Sequence, residues 1–170
     1  DGRDPWQVFN DVRFLGNSRV DPCSRILKRD LLWKYMDKNF DKATTTVYLG
    51  IDWTESHRID NVISRRPEWN IKAPLCEKPF LEKGELITMA SLRGLRPPRL
   101  YDAGFPHANC GGFCIKAGQA HFALLLKWNR ERYLYHEEQE RLLRKKLGKN
   151  VSILRDRRGG EVNPLTLEDF

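Results

Sequence analysis

A loop rich in glycine and cysteine, at residues 104–118, is the feature that most limits how this chain can fold. Its sequence, GFPHANCGGFCIKAG, contains four glycines, two cysteines and a histidine, and an apolar segment with helical periodicity follows it. Glycine lets backbone N–H groups approach a ligand or a metal-bound sulfur closely. Closely spaced thiols at the start of a helix are suited to holding a metal or to carrying reactive sulfur. We therefore expect the chemistry of the chain to lie in this loop.

Length, composition and charge set the class of protein. The 170 residues suit one domain, spanning 1–170, with a real core, and 40% hydrophobic with 31% charged residues is a globular composition. The sequence has neither an apolar run of membrane-spanning length nor a signal peptide, so we expect a cytoplasmic protein with no membrane partner. The net charge of +7 favours phosphate-bearing partners, either a nucleotide or a nucleic acid, although a solvated basic surface is an equal alternative.

The four cysteines are Cys23, Cys76, Cys110 and Cys114. In a reducing compartment, metal or redox roles outrank disulfides. Cys23, Cys110 and Cys114 supply three thiolates, and either Cys76 or His107 would complete a site for an iron–sulfur cluster or for zinc. In the alternative, Cys110 and Cys114 only brace a tight turn, Cys76 is an inert thiol, and His107 hydrogen-bonds within the loop.

Periodicity predicts the elements around the loop. Residues 1–22 are expected to form loops and turns, with core anchors at Trp6, Val8, Phe9, Val12 and Phe14. A helix capped by Ser24 follows, which places Cys23 at a helix N-terminus, where the dipole lowers the pKa of a thiol. Further on we predict a buried strand over 44–53, a short edge strand over 69–75, helices over 82–93, 119–128 and 130–147, and a strand over 151–154. The mixed charges of 130–147 indicate an exposed face with salt bridges.

Three polar groups are candidates for binding an anion. Asp52, Glu55 and Arg58 follow the predicted buried strand, where they either face a ligand or cap a helix. Lys116 is placed to hold a phosphate or sulfate together with free N–H groups of the glycine loop. The basic turn of Arg155, Arg157 and Arg158 either grips phosphates or is simply solvated.

The order of these features resembles the phosphoadenosine phosphosulfate reductase family. That family belongs to the PP-loop, or adenine nucleotide alpha hydrolase-like, superfamily, and the likeness is greatest to an uncharacterised phage and bacterial branch. It covers about residues 20–160 and rests on Cys23 with Leu27-Lys28, Leu49-Gly50-Ile51-Asp52 with Glu55 and Arg58, Ala73-Pro74-Leu75, Pro97-Pro98-Arg99-Leu100-Tyr101, and the loop Gly-Phe-Pro-His-x-Asn-Cys-Gly-Gly-x-Cys.

The resemblance implies a three-layer α/β sandwich around a mostly parallel sheet that binds ATP or another adenine nucleotide. It implies reduction of an activated sulfate, or adenylyl or sulfur transfer, in some members onto a nucleic acid. Arg58 would contact the nucleotide or its sulfate, and Cys23, Cys110 and Cys114 would form an iron–sulfur or redox site. The family's opening Ser-Gly-Gly-x-Asp-Ser loop has no counterpart, so we expect a missing N-terminal segment or a partner chain to supply it. Pro22 stands where cluster-bearing reductases have a second adjacent cysteine.

Two other functions remain open from the sequence. The first is a non-catalytic nucleic-acid-binding or accessory module that keeps the fold without an ATP site, which the basic charge and the arginine turn favour. The second is a small structural zinc domain, which a chelator would unfold.

Overall fold

The computed structural model describes all residues from 1 to 170, and the chain folds into two compact units. Unit 1 combines Asp1–Leu31 with Pro98–Phe170, and unit 2 is Leu32–Pro97. About 52% of the residues are helical, and the strands form two small sheets, one parallel and one antiparallel. The predicted α/β character is thereby confirmed. None of the helices combines the length and apolar character that crossing a bilayer requires.

Unit 1 is built mainly from helices packed on one aromatic core. Its helices are α1 (Pro5–Asp11), α2 (Pro22–Ser24), α6 (Arg99–Asp102), α7 (Gln119–Trp128) and α8 (Arg130–Leu147). A π-helical turn, Arg25–Arg29, continues α2 into α3 (Asp30–Asn39), and α3 runs on into unit 2. Trp6 of α1 stacks on Phe113 of the glycine loop with ring centroids 5.4 Å apart. The cysteine-containing loop is therefore fixed to the core by an apolar neighbour.

The segment after α8 forms a short hairpin, held to α8 by a buried carboxylate. Strands β3 (Leu154–Asp156) and β4 (Asn163–Leu165) pair antiparallel, with Leu154 opposite Leu165. Glu140 of α8, only 1% exposed, accepts backbone N–H bonds from Ile153 at 2.8 Å and from Leu167 at 2.6 Å. Both carboxylate oxygens are thus satisfied, as burial of such a group requires.

Unit 2 contains the parallel pair of strands. Strand β1 (Thr46–Tyr48) pairs in parallel with β2 (Asn70–Lys72), and helix α4 (His57–Arg65) lies between them in sequence. Helix α5 (Lys83–Leu92) follows, opened by a capping box between Glu82 and Glu85. The parallel pairing with an intervening helix is the βαβ arrangement typical of α/β proteins.

Several sequence predictions are confirmed and others are wrong. The helices over 119–128 and 130–147 have the predicted bounds, Gly148 ends α8 with φ +62°, and α5 matches the predicted 82–93 within a residue. Residues 1–22 are not all loop, because Asp4 and Gln7 form a capping box that starts α1. Of the anchors predicted there, Val12 and Phe14 are exposed.

The remaining differences concern short segments. Ser24 does not cap a helix, because the helix already starts at Pro22. The predicted strand over 44–53 is reduced to three residues that are not fully buried, and the last strand is β3 rather than 151–154. Ser152 bonds the Leu154 carbonyl with its own hydroxyl, which turns the chain just before β3.

Candidate thiolate site

The cysteine loop has an unusual backbone that presents Cys110 and Cys114 on one side. Cys110 has φ +51°, and Gly111 and Gly112 follow with φ +62° and +91°. A left-handed conformation is ordinary for glycine but uncommon for cysteine, and it persists only where the surroundings enforce it. At Gly112 an added Cβ would lie 3.3 Å from Cδ1 of Leu125, so the core also excludes a side chain there.

Cys114 is the activated thiol of the loop. The Cys110 S–H donates a hydrogen bond to Cys114, and the backbone N–H groups of Lys116 and Ala117 donate to it as well. With the charge of the neighbouring His107, these donors lower the pKa of Cys114 to about 6. The same hydrogen bond, together with burial and the neighbouring thiols, raises the pKa of Cys110 well above its usual value. At neutral pH the pair therefore holds one proton, with the thiolate on Cys114.

Cys23 is the third thiol of this cluster. It lies in α2, where Pro22 occupies the first helical position, and it is 7% exposed. The negative charge of Cys114 disfavours ionisation of Cys23, and Cys23 contributes to the raised pKa of Cys110, so the three sulfurs are neighbours. The expected lowering of its pKa by the helix N-terminus is wrong, because burial outweighs the hydrogen bond from the Ser24 N–H. Cys23 is a protonated thiol at neutral pH.

Two imidazoles stack on each other in unit 1, and one of them, His107, lies close enough to Cys114 to affect its pKa. The rings of His107 and His121 lie 4.7 Å apart and 28° from parallel. His121 Nε2 is 2.9 Å from the Gly112 carbonyl oxygen, which fixes the proton on that nitrogen. The Nδ1 atoms of both rings are buried and have no hydrogen-bond partner. Most buried polar atoms are paired, so such unpaired nitrogens beside thiols indicate a site suited to a further ligand.

The donor set fits zinc or an iron–sulfur cluster by its chemistry. Three thiolates and an imidazole are a common ligand set for zinc, and thiolates are the ligands that hold most iron–sulfur clusters. The side chains do not stand in a closed coordination arrangement, since no group of three or more histidine, cysteine or acidic residues is positioned to hold a metal ion. Cys23, Cys110, Cys114 and His107 are the residues that would hold such a group.

Four of the predicted site residues, Asp52, Glu55, Arg58 and Cys76, belong to unit 2. Cys76, the predicted fourth thiolate, donates its S–H to the carbonyl oxygen of Ile51 at 3.2 Å, which is the behaviour of a structural thiol. Asp52 accepts from the N–H and hydroxyl of Thr54, and these bonds lower its pKa. Glu55 forms an ion pair of 2.6 Å with Arg58. Of the two predicted roles, Asp52 therefore has the capping one, at the start of the short helix Trp53–Glu55. Arg58 is exposed and lies one turn from Glu55.

The predicted anion-binding cations of unit 1 are partly neutralised. Arg158 makes a two-oxygen ion pair with Asp156, whose pKa falls to about 2. The Arg155 carbonyl oxygen accepts a hydrogen bond of 2.7 Å from the Gln119 side chain, so this contact involves the main chain of Arg155 and not its guanidinium group. Lys116 is half-exposed and 4.0 Å from a carboxylate oxygen of Asp21, a loose pair that leaves its ammonium group accessible.

Two functional cations were missed by the sequence reasoning. Lys28, in the π-helical turn after Cys23, lies close enough to Cys110 to favour its thiolate form. Arg132 of α8 donates to the Cys110 carbonyl oxygen at 3.0 Å and covers Gly111. A π-helical turn marks functional sites often, but it has no sequence signature, and the charges around Arg132 are typical of any solvated helix.

Comparison with known proteins identified no relative of this chain. No family model matches the chain, and neither a curated protein nor a solved structure is similar to it.

Proposed function

We propose that this chain is a phosphoadenosine phosphosulfate reductase-like enzyme that acts on an adenine nucleotide and performs sulfur or adenylyl transfer at a cysteine-based centre. The single observation that carries the proposal is the activated Cys114, hydrogen-bonded by Cys110 and adjacent to Cys23 and His107. A thiolate stabilised at neutral pH is the form that attacks sulfur and binds metals.

The chain's own residues would divide the work at this centre. Cys114 holds the negative charge and is the nucleophile or first ligand. Cys110 keeps a proton on its sulfur and would release it to solvent on becoming a ligand itself. The charge of Lys28 and the N–H groups of Lys116 and Ala117 offset the negative charge in the loop. A bound iron–sulfur cluster would supply electron transfer or hold a sulfur atom, whereas zinc would supply charge neutralisation.

The finer fold belongs to the same proposal. We take β1 and β2 as two parallel neighbours of a larger sheet in a three-layer α/β sandwich, with Arg58, which follows β1 in unit 2, near the nucleotide's charged groups. The βαβ arrangement of β1, α4 and β2 supports this assignment, because ligands of such sheets gather beyond the carboxyl ends of the strands. We also propose that the protein works in the cytoplasm, where thiols stay reduced.

Metal and sulfide analysis of protein purified without oxygen tests the centre. We expect iron with acid-labile sulfide, or else zinc, in stoichiometric amount. The double variant Cys110→Ser with Cys114→Ser should lose it, and Cys23→Ser should lower it. Cys76→Ser is the matched control, because Cys76 bonds only the Ile51 carbonyl in unit 2 and should leave the metal content unchanged.

The outcomes separate the roles. Metal content that survives in the double variant would contradict the assignment of these cysteines. Zinc whose removal by a chelator unfolds the protein would make the centre structural rather than catalytic. ATP binding by calorimetry tests the nucleotide, with Arg58→Gln expected to weaken it and the exposed Arg65→Gln as control.

A nucleic-acid-binding module is the second candidate, favoured by one observation. Trp53 and Phe80 form a surface pair with ring centroids 5.7 Å apart, and they are 36% and 49% exposed. Exposed aromatic faces are suited to stacking on unpaired bases. Binding of single-stranded RNA that weakens steeply with salt, is lost in Trp53→Ala and is accompanied by no ATP affinity would favour this function.

A further inference from the structure

An open cavity of about 460 Å³ lies at the N-terminal end of α8 in unit 1. Its lining residues are Asn129, Glu131, Arg132, Tyr135 and His136. Its volume falls in the range of small-molecule sites. Asn129 caps the helix by accepting the Arg132 N–H at 2.9 Å, so the first turn of α8 is held in a fixed geometry.

His136 gives this cavity a buried donor without a partner. The residue is 5% exposed and stacks on Phe113 with ring centroids 3.7 Å apart. Its Nδ1 accepts the Trp6 indole N–H at 2.9 Å, so the ring proton lies on Nε2. Burial lowers the pKa of His136 to about 3, which keeps the ring neutral at pH 7. The Nε2–H is buried and unpaired, an arrangement that an acceptor from a ligand would satisfy.

Two opposite charges at the cavity are also without a charged partner. Arg132 donates one guanidinium N–H to the Cys110 carbonyl oxygen and forms no salt bridge. The side chain of Glu131, the preceding residue, is exposed and forms neither a salt bridge nor a hydrogen bond. A simple anion would be attracted by Arg132 but repelled by Glu131 and by Asp4, which bonds the Tyr135 hydroxyl, and a multiply charged phosphate would be repelled more strongly. A ligand with one charge of each sign matches the pair.

We propose that this cavity binds a small zwitterion of the α-amino acid class. The ligand's carboxylate accepts from the Arg132 guanidinium, whose planar donors match a carboxylate, and from the His136 Nε2–H. Its ammonium group pairs with Glu131. The proposed site needs neither a metal nor a nucleotide, and it shares Arg132 with the cysteine loop.

The unmodified protein with ¹⁵N-labelled histidine tests the proposal, and L-alanine is the probe. We expect a saturable shift of the His136 Nε2–H resonance in NMR spectra at pH 7. Propionate lacks the ammonium group, and inorganic phosphate has excess negative charge. Both should bind at least about tenfold more weakly than L-alanine, as loss of one charge-assisted hydrogen bond implies. Propionate or phosphate binding as tightly as L-alanine would overturn the proposal, and so would the absence of any shift.

Two variants separate the ligand's charges. Glu131→Gln should weaken L-alanine about tenfold and leave propionate unchanged, whereas Arg132→Gln should weaken both. Glu138→Gln on the same helix is the matched control, because Glu138 is paired with Arg141 and does not line the cavity. An equal effect of Glu131→Gln and Glu138→Gln on L-alanine would contradict the pairing. Metal content is measured on the same samples, so failure of this proposal is distinguishable from failure of the thiolate centre.

Discussion

The guanidinium of Arg132 donates a hydrogen bond of 3.0 Å to the carbonyl oxygen of Cys110. Cys110 has a left-handed backbone that cysteine rarely adopts, and this bond, made from a different helix, holds it there. Arg132 therefore determines where the Cys110 thiol lies. In doing so it also affects the hydrogen bond between Cys110 and Cys114, although it bonds only the Cys110 carbonyl oxygen.

Arg132→Gln should reduce the reactivity of Cys114 without removing either thiol. Once the Cys110 carbonyl is released, the S–H···S bond weakens, and the pKa of Cys114 rises. We expect slower alkylation of Cys114 by iodoacetamide at pH 7, measured by mass spectrometry of the peptide. Arg130→Gln, two residues earlier and exposed, is the control. Equal rates in the two variants would show that the loop holds its shape unaided.

Cys110→Ala should raise the pKa of Cys114 directly. The S–H donor contributes most to the low value of about 6, so its removal moves the midpoint of alkylation upward. The rate measured from pH 5 to pH 9 gives that midpoint, and the thiolate fraction at pH 6.5 should fall several-fold. Cys76→Ala leaves the loop intact and should not move the midpoint. An alkylation midpoint that is the same in Cys110→Ala and in the parent protein would show that Cys110 does not donate the hydrogen bond that lowers the pKa of Cys114.

Gly112→Ala should destabilise the protein by about 1–3 kcal/mol, because the residue has φ +91° and a Cβ would press on Leu125. Thermal unfolding measures the loss. Gly118→Ala is a matched control, since Gly118 has an ordinary φ of −93° and no atom lies within 4 Å of its Cβ position. If both variants melt together, the backbone at Gly112 is not constrained as described.

Glu140→Gln should cost about 1–3 kcal/mol in the free energy of unfolding, because an amide leaves one buried N–H, of Ile153 or Leu167, without an acceptor. Burial raises the pKa of Glu140 in the folded state. The folded protein therefore binds more protons than the unfolded chain between the unfolded and folded pKa values, and stability falls as pH rises through that interval. Urea unfolding from pH 4 to pH 8 should show this fall in the parent and not in Glu140→Gln.

Glu138→Gln tests whether the effect of Glu140→Gln is specific. Glu138 is exposed and its pKa is lowered by Arg141, so the sign of its pH dependence is opposite and its contribution small. A loss of stability in Glu138→Gln as large as in Glu140→Gln would mean that the buried bonds to Ile153 and Leu167 are not what the substitution removes.

The sequence allowed the long helices and the proximity of three cysteines to be predicted, while their role as a site stays a prediction. Apolar periodicity and Gly148 define α7 and α8 because these helices are governed by local signals. The clustering of Cys110 and Cys114 follows from their spacing, and Cys23 joins them as the resemblance implied. The family, nucleotide and cofactor stay predictions.

What the sequence did not reveal depends on contacts between distant residues. Glu140 can be buried in a helix of mixed charges because it accepts hydrogen bonds from the N–H groups of Ile153 and Leu167. These donors are distant in sequence, so no local pattern predicts the burial. Similarly, the low pKa belongs to Cys114 and not to Cys23, because burial of Cys23 cancels its favourable position at a helix start. Helix α1 was not predicted, because it is only seven residues long and its apolar residues form a short run rather than a sustained helical repeat.

The two bonds of Glu140 also determine how the C-terminal part of unit 1 can open. The Glu140 carboxylate accepts hydrogen bonds from Ile153, just before β3, and from Leu167, just after β4. The Tyr133 hydroxyl adds a hydrogen bond of 2.7 Å to the Leu167 carbonyl oxygen. Glu140 thus joins both ends of the hairpin to α8, and Gln119 of α7 bonds the Arg155 carbonyl within it. Opening at either end would leave the buried carboxylate with only one of its two hydrogen bonds, so we expect the hairpin to separate from α8 in one cooperative step, with its amide protons exchanging with solvent as one group.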